Sequence, residues 1–141
     1  MIARAAAPID QPSSVVVAGG EHAITPGLGA IWVAMLTHRL PGLSRDAYAR
    51  RWRIGHAPFG ARLKSAAGYR QLHADAHPEE LGALASRFAI NRYDGLGQVY
   101  FDTLGAMAAT RASPEVLRDG TADEMQFIDH ARSMLMMFSF A

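Results

Sequence analysis

Two segments that are apolar at almost every position put the strongest constraint on how this chain can fold. Residues 30–36 read AIWVAML and residues 134–140 read MLMMFSF. Their length and apolar character favour β-strands. A strand with one face in water alternates apolar and polar residues, whereas a strand buried on both faces is apolar throughout. The two segments are therefore predicted to be strands that are covered on both faces.

Local signals along the rest of the chain place helices and further strands between these two strands. The order strand, helix, strand, strand, helix, strand predicts an α+β fold with a ferredoxin-like, four-stranded antiparallel sheet and helices on one face. The predicted strands are 30–36, 69–75, 96–101 and 134–140. The predicted helices follow Ser44, then either Asp102 or Thr103, and then Ser113.

Helices on one face of a four-stranded sheet leave its other face open. Strands that are apolar on both sides need that face to be covered as well, or to line an apolar pocket. The simplest solution is a homodimer in which two sheets pack face to face, with a cavity between or beside them. The pattern therefore predicts a homodimer with an apolar cavity.

The first 29 residues differ from the rest because they carry several prolines and glycines and show no sustained periodicity. We expect residues 1–29 to form an irregular N-terminal arm, in which 15–17 can make a brief strand, and residues 30–141 to form the folded domain.

Composition narrows the class of protein. The 141 residues include no cysteine and carry a formal net charge of +1, and no apolar run reaches the length of a membrane helix. These features exclude disulfides and a cysteine nucleophile, and they argue against nucleic-acid or membrane partners. We expect a cytoplasmic protein.

Residues 40–58 carry the clearest local signals. Pro41-Gly42 marks a turn, Ser44 is a suitable helix N-cap, and Gly55 is expected to end the helix. His56 would then project from a rigid corner and is the first candidate for a general acid or base. The alternative is a histidine that only hydrogen-bonds a helix-terminal carbonyl and fixes the corner.

Tyr93, Asp94 and His73 are the other candidate catalytic residues. Tyr93 can donate to a developing enolate oxygen, and Asp94 can orient an imidazole or take a proton. Aspartate before glycine also stabilises turns by bonding its own backbone, which is the alternative for Asp94. His73 can pair with a substrate carbonyl or with His56 if it faces the cavity, and otherwise it is an edge or surface histidine.

Candidate substrate contacts are mainly aromatic or apolar. Met136, Trp32 and Tyr100 can line an apolar pocket, although methionines also fill adaptable cores. Trp52 lies one helical turn from His56, and Arg70 can hold a carboxylate or phenolate. The six histidines lack metal-ligand spacing, and no dinucleotide or phosphate-loop motif is present, so neither a metal nor an organic cofactor is expected.

Several of these segments, taken with their spacing, resemble the EthD family. The resemblance runs from about residue 30 to residue 141 and is carried by Pro41-Gly42-Leu43-Ser44, Trp52 with His56-Ala57-Pro58, Tyr93-Asp94-Gly95, Phe101-Asp102, and Asp123-Glu124 followed by Phe127-Ile128-Asp129. It implies a dimeric α+β barrel, the fold also used by small polyketide cyclases, muconolactone isomerases and cofactor-free monooxygenases.

The resemblance and the candidate residues together lead to a functional expectation. We expect a small enzyme of the lyase, cyclase or isomerase type, without a cofactor, that acts on a hydrophobic aromatic, polyketide-like or lactone substrate by acid–base chemistry. Two alternatives stay open, namely a cofactor-free or haem-dependent monooxygenase and a non-catalytic ligand-binding accessory protein of an oxygenase system.

Overall fold

The computed structural model describes Asp10 and residues 13–75, 77–111 and 113–140, and predictions for the other residues lie outside this part of the chain. The strands are β1 Val15–Val16, β2 Gly20–Thr25, β3 Ile31–Thr37, β4 Gly68–His73, β5 Ala89–Ile90, β6 Gly95–Phe101 and β7 Met134–Ser139. The helices are α1 Arg45–Arg50, a π-helical segment Arg51–His56, α2 Ala57–Ala61, a 3₁₀ segment Pro78–Leu84, α3 Leu104–Arg111 and α4 Pro114–Glu124.

The main sheet is antiparallel and has five strands in the order β2-β4-β6-β3-β7. The mixed α+β class is as predicted, but the predicted count of four strands is wrong. The additional strand is β2, which lies in the segment expected to be an irregular arm. It pairs with β4, and the Gly20 amide just at its start donates to Asp75 Oδ1 at 2.7 Å. Pairing with a distant strand, rather than a local apolar pattern, defines β2.

Residues 15 and 16 form the brief strand predicted within 15–17. This strand, β1, pairs in parallel with β5 outside the main sheet, and Val15 lies opposite Ala89. The part of the predicted arm that the structure describes is therefore tied to the domain at two places, through β1 and through β2.

Helix α1 begins as predicted and continues further than predicted. Ser44 accepts a hydrogen bond from the Ala47 amide at 3.1 Å, which confirms it as the N-cap. Gly55, however, does not end the helix, because the chain runs on through the π-helical segment into α2. The glycine instead makes room for a neighbour, since a Cβ at this position would lie 3.1 Å from Cδ of Arg51.

The core lies between the helices and one face of the sheet. Its fully buried centre combines Tyr48 and Trp52 from the first helical stretch with Phe127 and Ile128, which follow α4. Helix α4 extends to Glu124, beyond the predicted end near residue 118, and so carries Asp123 and Glu124 toward this core.

Trp32 lies on the opposite face of the sheet. Its ring is stacked with those of Tyr100 and Phe138, at centroid distances of 6.4 and 4.9 Å. Strand β7 is apolar as predicted, yet it forms an edge of the sheet and Leu135 is 70% exposed.

No helix in the described ranges is long and apolar enough to cross a membrane.

Candidate active site

A cavity of about 550 Å³ opens between the helices and the core-facing side of the sheet. Alternate residues of β3 and β6 form its floor, because residues two apart in a strand face the same side. Its walls are mostly apolar, and they include Val33, Met35, Val99, Phe59, Leu63 and Met107. A cavity of this size and character suits a hydrophobic molecule of small to medium size.

His56 lines this cavity and is held between two acidic side chains of α4. Its Nδ1 lies 3.0 Å from Asp123 Oδ2, and its Nε2 lies 3.4 Å from Glu124 Oε1. The imidazole is 6% exposed and packs near the rings of Phe59 and Phe127. The ring is therefore fixed in orientation by hydrogen bonding and by packing.

The carboxylate of Asp123 determines which nitrogen of His56 carries the proton in the neutral ring. An ionised carboxylate only accepts hydrogen bonds, so Nδ1 is the donor to Asp123 and, in the neutral ring, Nε2 beside Glu124 carries no proton. Asp123 is itself buried and paired with Arg51, whose Nη2 also donates to Gln126 Oε1 at 3.0 Å. This arrangement matches the orienting role of aspartate beside a catalytic histidine.

Glu124 joins His56 to a second histidine at the cavity. Its Oε2 lies 3.3 Å from Nε2 of His130, and Glu124, His56 and His130 all line the cavity. Among the described residues, no group of three or more histidine, aspartate or glutamate side chains has an arrangement that could hold a metal ion.

Tyr69 lines the same cavity, and its ring packs against helix α2. Its hydroxyl oxygen accepts hydrogen bonds from Trp52 Nε1 at 3.1 Å and from Gln71 Nε2 at 2.8 Å. The ring packs so closely on α2 that a Cβ on Gly60 would lie 2.2 Å from its Cε1. Burial raises the pKa of Tyr69 to about 12, against the opposing effect of the two hydrogen bonds.

His73 does not meet His56. Its Nε2 lies 3.1 Å from Gln71 Oε1, and its ring packs 5.0 Å from that of Trp52. It lines a smaller cavity of about 270 Å³ with polar side chains of α1 and β2. Burial lowers the pKa of His73 to about 4, so its imidazole is neutral at physiological pH. The structure thus places His73 behind Trp52 rather than at the main cavity.

Tyr93 and Asp94 also lie away from the main cavity. Asp94 is buried, pairs with Arg39, and accepts from the Arg39 amide at 3.0 Å. Arg45 Nε approaches the same carboxylate at 3.6 Å, so Asp94 ties the end of β3 to the start of α1. The Tyr93 ring packs against His38 at 4.6 Å. These contacts hold Tyr93 and Asp94 against neighbouring side chains and away from the main cavity.

The predicted substrate contacts divide between the two faces of the sheet. Trp52 lines the main cavity. Trp32, Tyr100, Arg70 and Met136 lie on the opposite face, as the strand register requires, because residues directly across a strand pair share a face. On that face the predicted anion-binding Arg70 donates instead to Glu21 Oε2 at 2.9 Å.

The open face carries a polar network beside its aromatic cluster. Glu21 accepts from Gln98 Nε2 at 2.9 Å, and the hydroxyl of Tyr100 donates to Gln98 Oε1 at 3.0 Å. The hydrogen bonds from Gln98 and then Arg70 lower the pKa of Glu21. These groups pair with one another next to exposed apolar side chains, whereas Nε of Arg70 and Nε1 of Trp32 are buried without a hydrogen-bond partner among the described residues.

Four residues of the site were not predicted from the sequence. Tyr69, Glu124 and His130 line the cavity, and Asp123 is hydrogen-bonded to His56. Asp123 and Glu124 entered the family resemblance without a role. A signal for Tyr69 was present, because Tyr69, Gln71 and His73 recur at every second position of one strand and so share a face.

The fold and the cavity define the class of protein. An antiparallel sheet with helices on one face encloses an apolar cavity, and a buried histidine–aspartate pair lies in its wall. This is a small α+β domain with an apolar cavity beside a buried histidine.

Comparison with known proteins identifies the family. The EthD domain model matches residues 40–131, so the chain belongs to the EthD family, as the sequence motifs predicted. The structure is similar to that of an EthD family protein from Bacillus halodurans C-125, with a TM-score of 0.58 and 13% sequence identity. The match covers 79% of this chain and 98% of that one, and at this identity it shows the shared fold. No curated protein matches the chain.

Proposed function

We propose that this protein is an enzyme that moves a proton on a hydrophobic aromatic, polyketide-like or lactone substrate. The observation that carries the proposal is the buried pair of His56 and Asp123 in the wall of an apolar cavity, with Nδ1 to Oδ2 at 3.0 Å. A histidine held by a carboxylate at one nitrogen keeps the other available for proton transfer.

The reaction begins with removal of a proton from a carbon next to a carbonyl group. His56 takes this proton on Nε2, and Asp123 stabilises the resulting imidazolium through Nδ1–H. Glu124, 3.4 Å from Nε2, adds a second negative charge beside the charged ring. A positioned acid or base of this kind contributes typically ~10²–10⁴-fold to a rate. Cyclisation, dehydration and isomerisation all use such a step, and decarboxylation uses its reverse, in which the acid protonates the enolate left by the departing CO₂.

The proposal is tested by proton exchange in D₂O. Purified protein is incubated with a panel of bicyclic aromatic ketones and aryl lactones, and exchange of the protons next to the carbonyl is followed by NMR. We expect accelerated exchange with the wild type and a loss of about 10²-fold or more in His56→Gln. His77→Gln is the matched control, because His77 is exposed and does not line the cavity.

Exchange that is equally fast in wild type and His56→Gln would refute His56 as the acid–base group. Binding of the panel compounds without any exchange would favour the alternative, a ligand-binding accessory protein. An intermediate result with Asp123→Asn, slower than wild type but faster than His56→Gln, is expected if Asp123 orients the imidazole.

We also propose that a second copy of the chain covers the open face of the sheet. The support is the stacked pair of Trp32 and Phe138 on that face, where Phe138 is 41% exposed and Met134, which shares this face, is 48% exposed. An apolar patch of this kind is typical of an interface. Sedimentation velocity should give a two-chain species, and Phe138→Lys should shift it toward the monomer.

A cytoplasmic location stays a prediction from composition.

A further inference from the structure

We propose that Tyr69 is a second catalytic residue, which donates its hydroxyl proton in a hydrogen bond to the carbonyl or enolate oxygen of an aromatic ketone or lactone bound in the main cavity. The inference deepens the proposed function and rests on it, since it assigns the group that stabilises the charge created when His56 removes a proton.

The hydrogen bonds around the Tyr69 hydroxyl carry the argument. A phenolic oxygen has one hydrogen to donate and can accept hydrogen bonds. Trp52 Nε1 can only donate, and it lies 3.1 Å from this oxygen. Gln71 Nε2 lies 2.8 Å from it and is also a donor. The oxygen of Tyr69 is therefore an acceptor in both of these bonds, and its own hydrogen is used in neither.

The orientation of the Gln71 amide is fixed by its other neighbours. Its Nε2 lies 3.2 Å from the backbone carbonyl oxygen of Trp52, and a flipped amide would bring two acceptor oxygens together there. Its Oε1 accepts from Nε2 of His73 at 3.1 Å, which the neutral ring satisfies by carrying its proton on that nitrogen. Both amide hydrogens and the amide oxygen are thus in use.

The surroundings of Tyr69 limit the direction in which its hydroxyl hydrogen can point. The side chain is 5% exposed, and one side of its ring is closed by Gly60. No described residue accepts the hydroxyl hydrogen in a hydrogen bond, while Tyr69 is part of the cavity lining. The remaining direction for the O–H group is the cavity, where a ligand oxygen would complete its hydrogen bonding.

The electronic properties of this hydroxyl suit the role. Two N–H donors pull electron density from the oxygen and make the O–H a stronger donor. Burial nevertheless raises the pKa of Tyr69 to about 12, so the group keeps its proton at neutral pH. A neutral, polarised and preorganised donor is what an oxyanion-stabilising site requires.

The two residues act on different atoms of the substrate. The C–H bond next to the carbonyl breaks and its proton goes to Nε2 of His56. The electron pair moves into a new carbon–carbon double bond, and the carbonyl π electrons move to oxygen. The resulting enolate oxygen is held by the Tyr69 hydroxyl, which keeps its own proton. Turnover is completed either by return of the proton from His56 to carbon or by loss of a leaving group that takes this proton from His56.

The test uses α-tetralone, an aromatic ketone, and tetralin, the same ring system without the carbonyl. Infrared spectroscopy of bound α-tetralone should show a carbonyl band at lower frequency than in cyclohexane, and Tyr69→Phe should abolish this shift. The same substitution should weaken α-tetralone binding about three- to tenfold, as expected for one hydrogen bond, and leave tetralin binding unchanged. Tyr48→Phe is the matched control, because Tyr48 also loses a buried hydroxyl but lies outside the cavity lining.

The wild-type spectrum needs no variant and keeps the test valid if Tyr69→Phe folds poorly. A wild-type carbonyl band at its cyclohexane position, no binding of α-tetralone, or a shifted band that persists in Tyr69→Phe would each overturn the assignment. His56→Gln should retain the shifted band. Failure of the proposed function, measured by proton exchange, is therefore distinguishable from failure of the assignment of Tyr69, measured by binding and spectroscopy.

Discussion

Lowering the pH from 7 to 5 should destabilise the protein through His73. This side chain is 3% exposed and packs against Trp52, and burial lowers its pKa from 6.5 to about 4. Because the folded state binds the proton less readily than the unfolded chain, protonation favours unfolding. The stability contribution is complete above pH 6.5 and is lost as the pH falls from 6.5 toward 4.

The size of the effect follows from the two pKa values. At pH 5 almost all unfolded chains carry the proton at this position and few folded molecules do, which corresponds to a loss of about 2 kcal/mol. Below pH 4 the loss levels off at about 3 kcal/mol, because one pKa unit corresponds to about 1.4 kcal/mol. The titratable neighbours that face His73 across the smaller cavity are His22, Arg50, Arg53, Asp46 and Asp75.

The assay is urea unfolding of wild type and His73→Gln at pH 7 and pH 5. Glutamine can still donate to Gln71 Oε1 but does not titrate, so the variant should lose about 2 kcal/mol less than the wild type between the two pH values. Other titrating groups are common to both proteins and cancel in this difference. His77→Gln, which changes an exposed histidine, should behave like the wild type. Equal losses in wild type and His73→Gln would refute the reasoning.

Two further predictions concern packing and helix capping. Gly60→Ala should lower the free energy of unfolding by about 1–3 kcal/mol, because its Cβ would lie 2.2 Å from the Tyr69 ring. Gly105→Ala, whose nearest contact would be an ordinary 3.6 Å, should instead be neutral or stabilising in urea unfolding. Ser44→Ala should cost about 1 kcal/mol by removing the cap on the Ala47 amide, and a variant as stable as the wild type would contradict this.

Features of the fold that depend on neighbouring residues could be predicted from the sequence. The turn at Pro41-Gly42, with Gly42 at a φ of +90°, and the N-cap at Ser44 follow from local backbone chemistry. Strand β2 could not be predicted in this way, since its residues lack a clear apolar alternation. Its register with β4 depends on residues about 50 positions away, including Asp75, which bonds the Gly20 amide.

The same distinction applies to the site. His56 could be selected because its type and local context indicate chemistry, but Asp123, its partner, is 67 positions away and only the folded chain brings the two together. Asp94 illustrates the opposite error. Its position before Gly95 suggested a catalytic role or a turn, whereas in the structure its carboxylate forms ion pairs with Arg39 and Arg45. Sequence indicates which side chains are capable of chemistry, and tertiary pairing determines which of them are free to perform it.

The π-helical segment explains how one helical stretch can hold His56 in the cavity wall. Buried residues recur at every fourth position of this stretch, at Tyr48, Trp52, His56 and Gly60. In an α-helix of 3.6 residues per turn, each step of four overshoots a full turn by about 40°, so this row would drift around the helix. The wider turn over Arg51–His56 offsets that drift and keeps the row facing the core. Gly55 therefore does not stop the helix. It lies inside the widened turn, where the missing side chain lets Arg51 cross toward Asp123 and hold the carboxylate that orients His56.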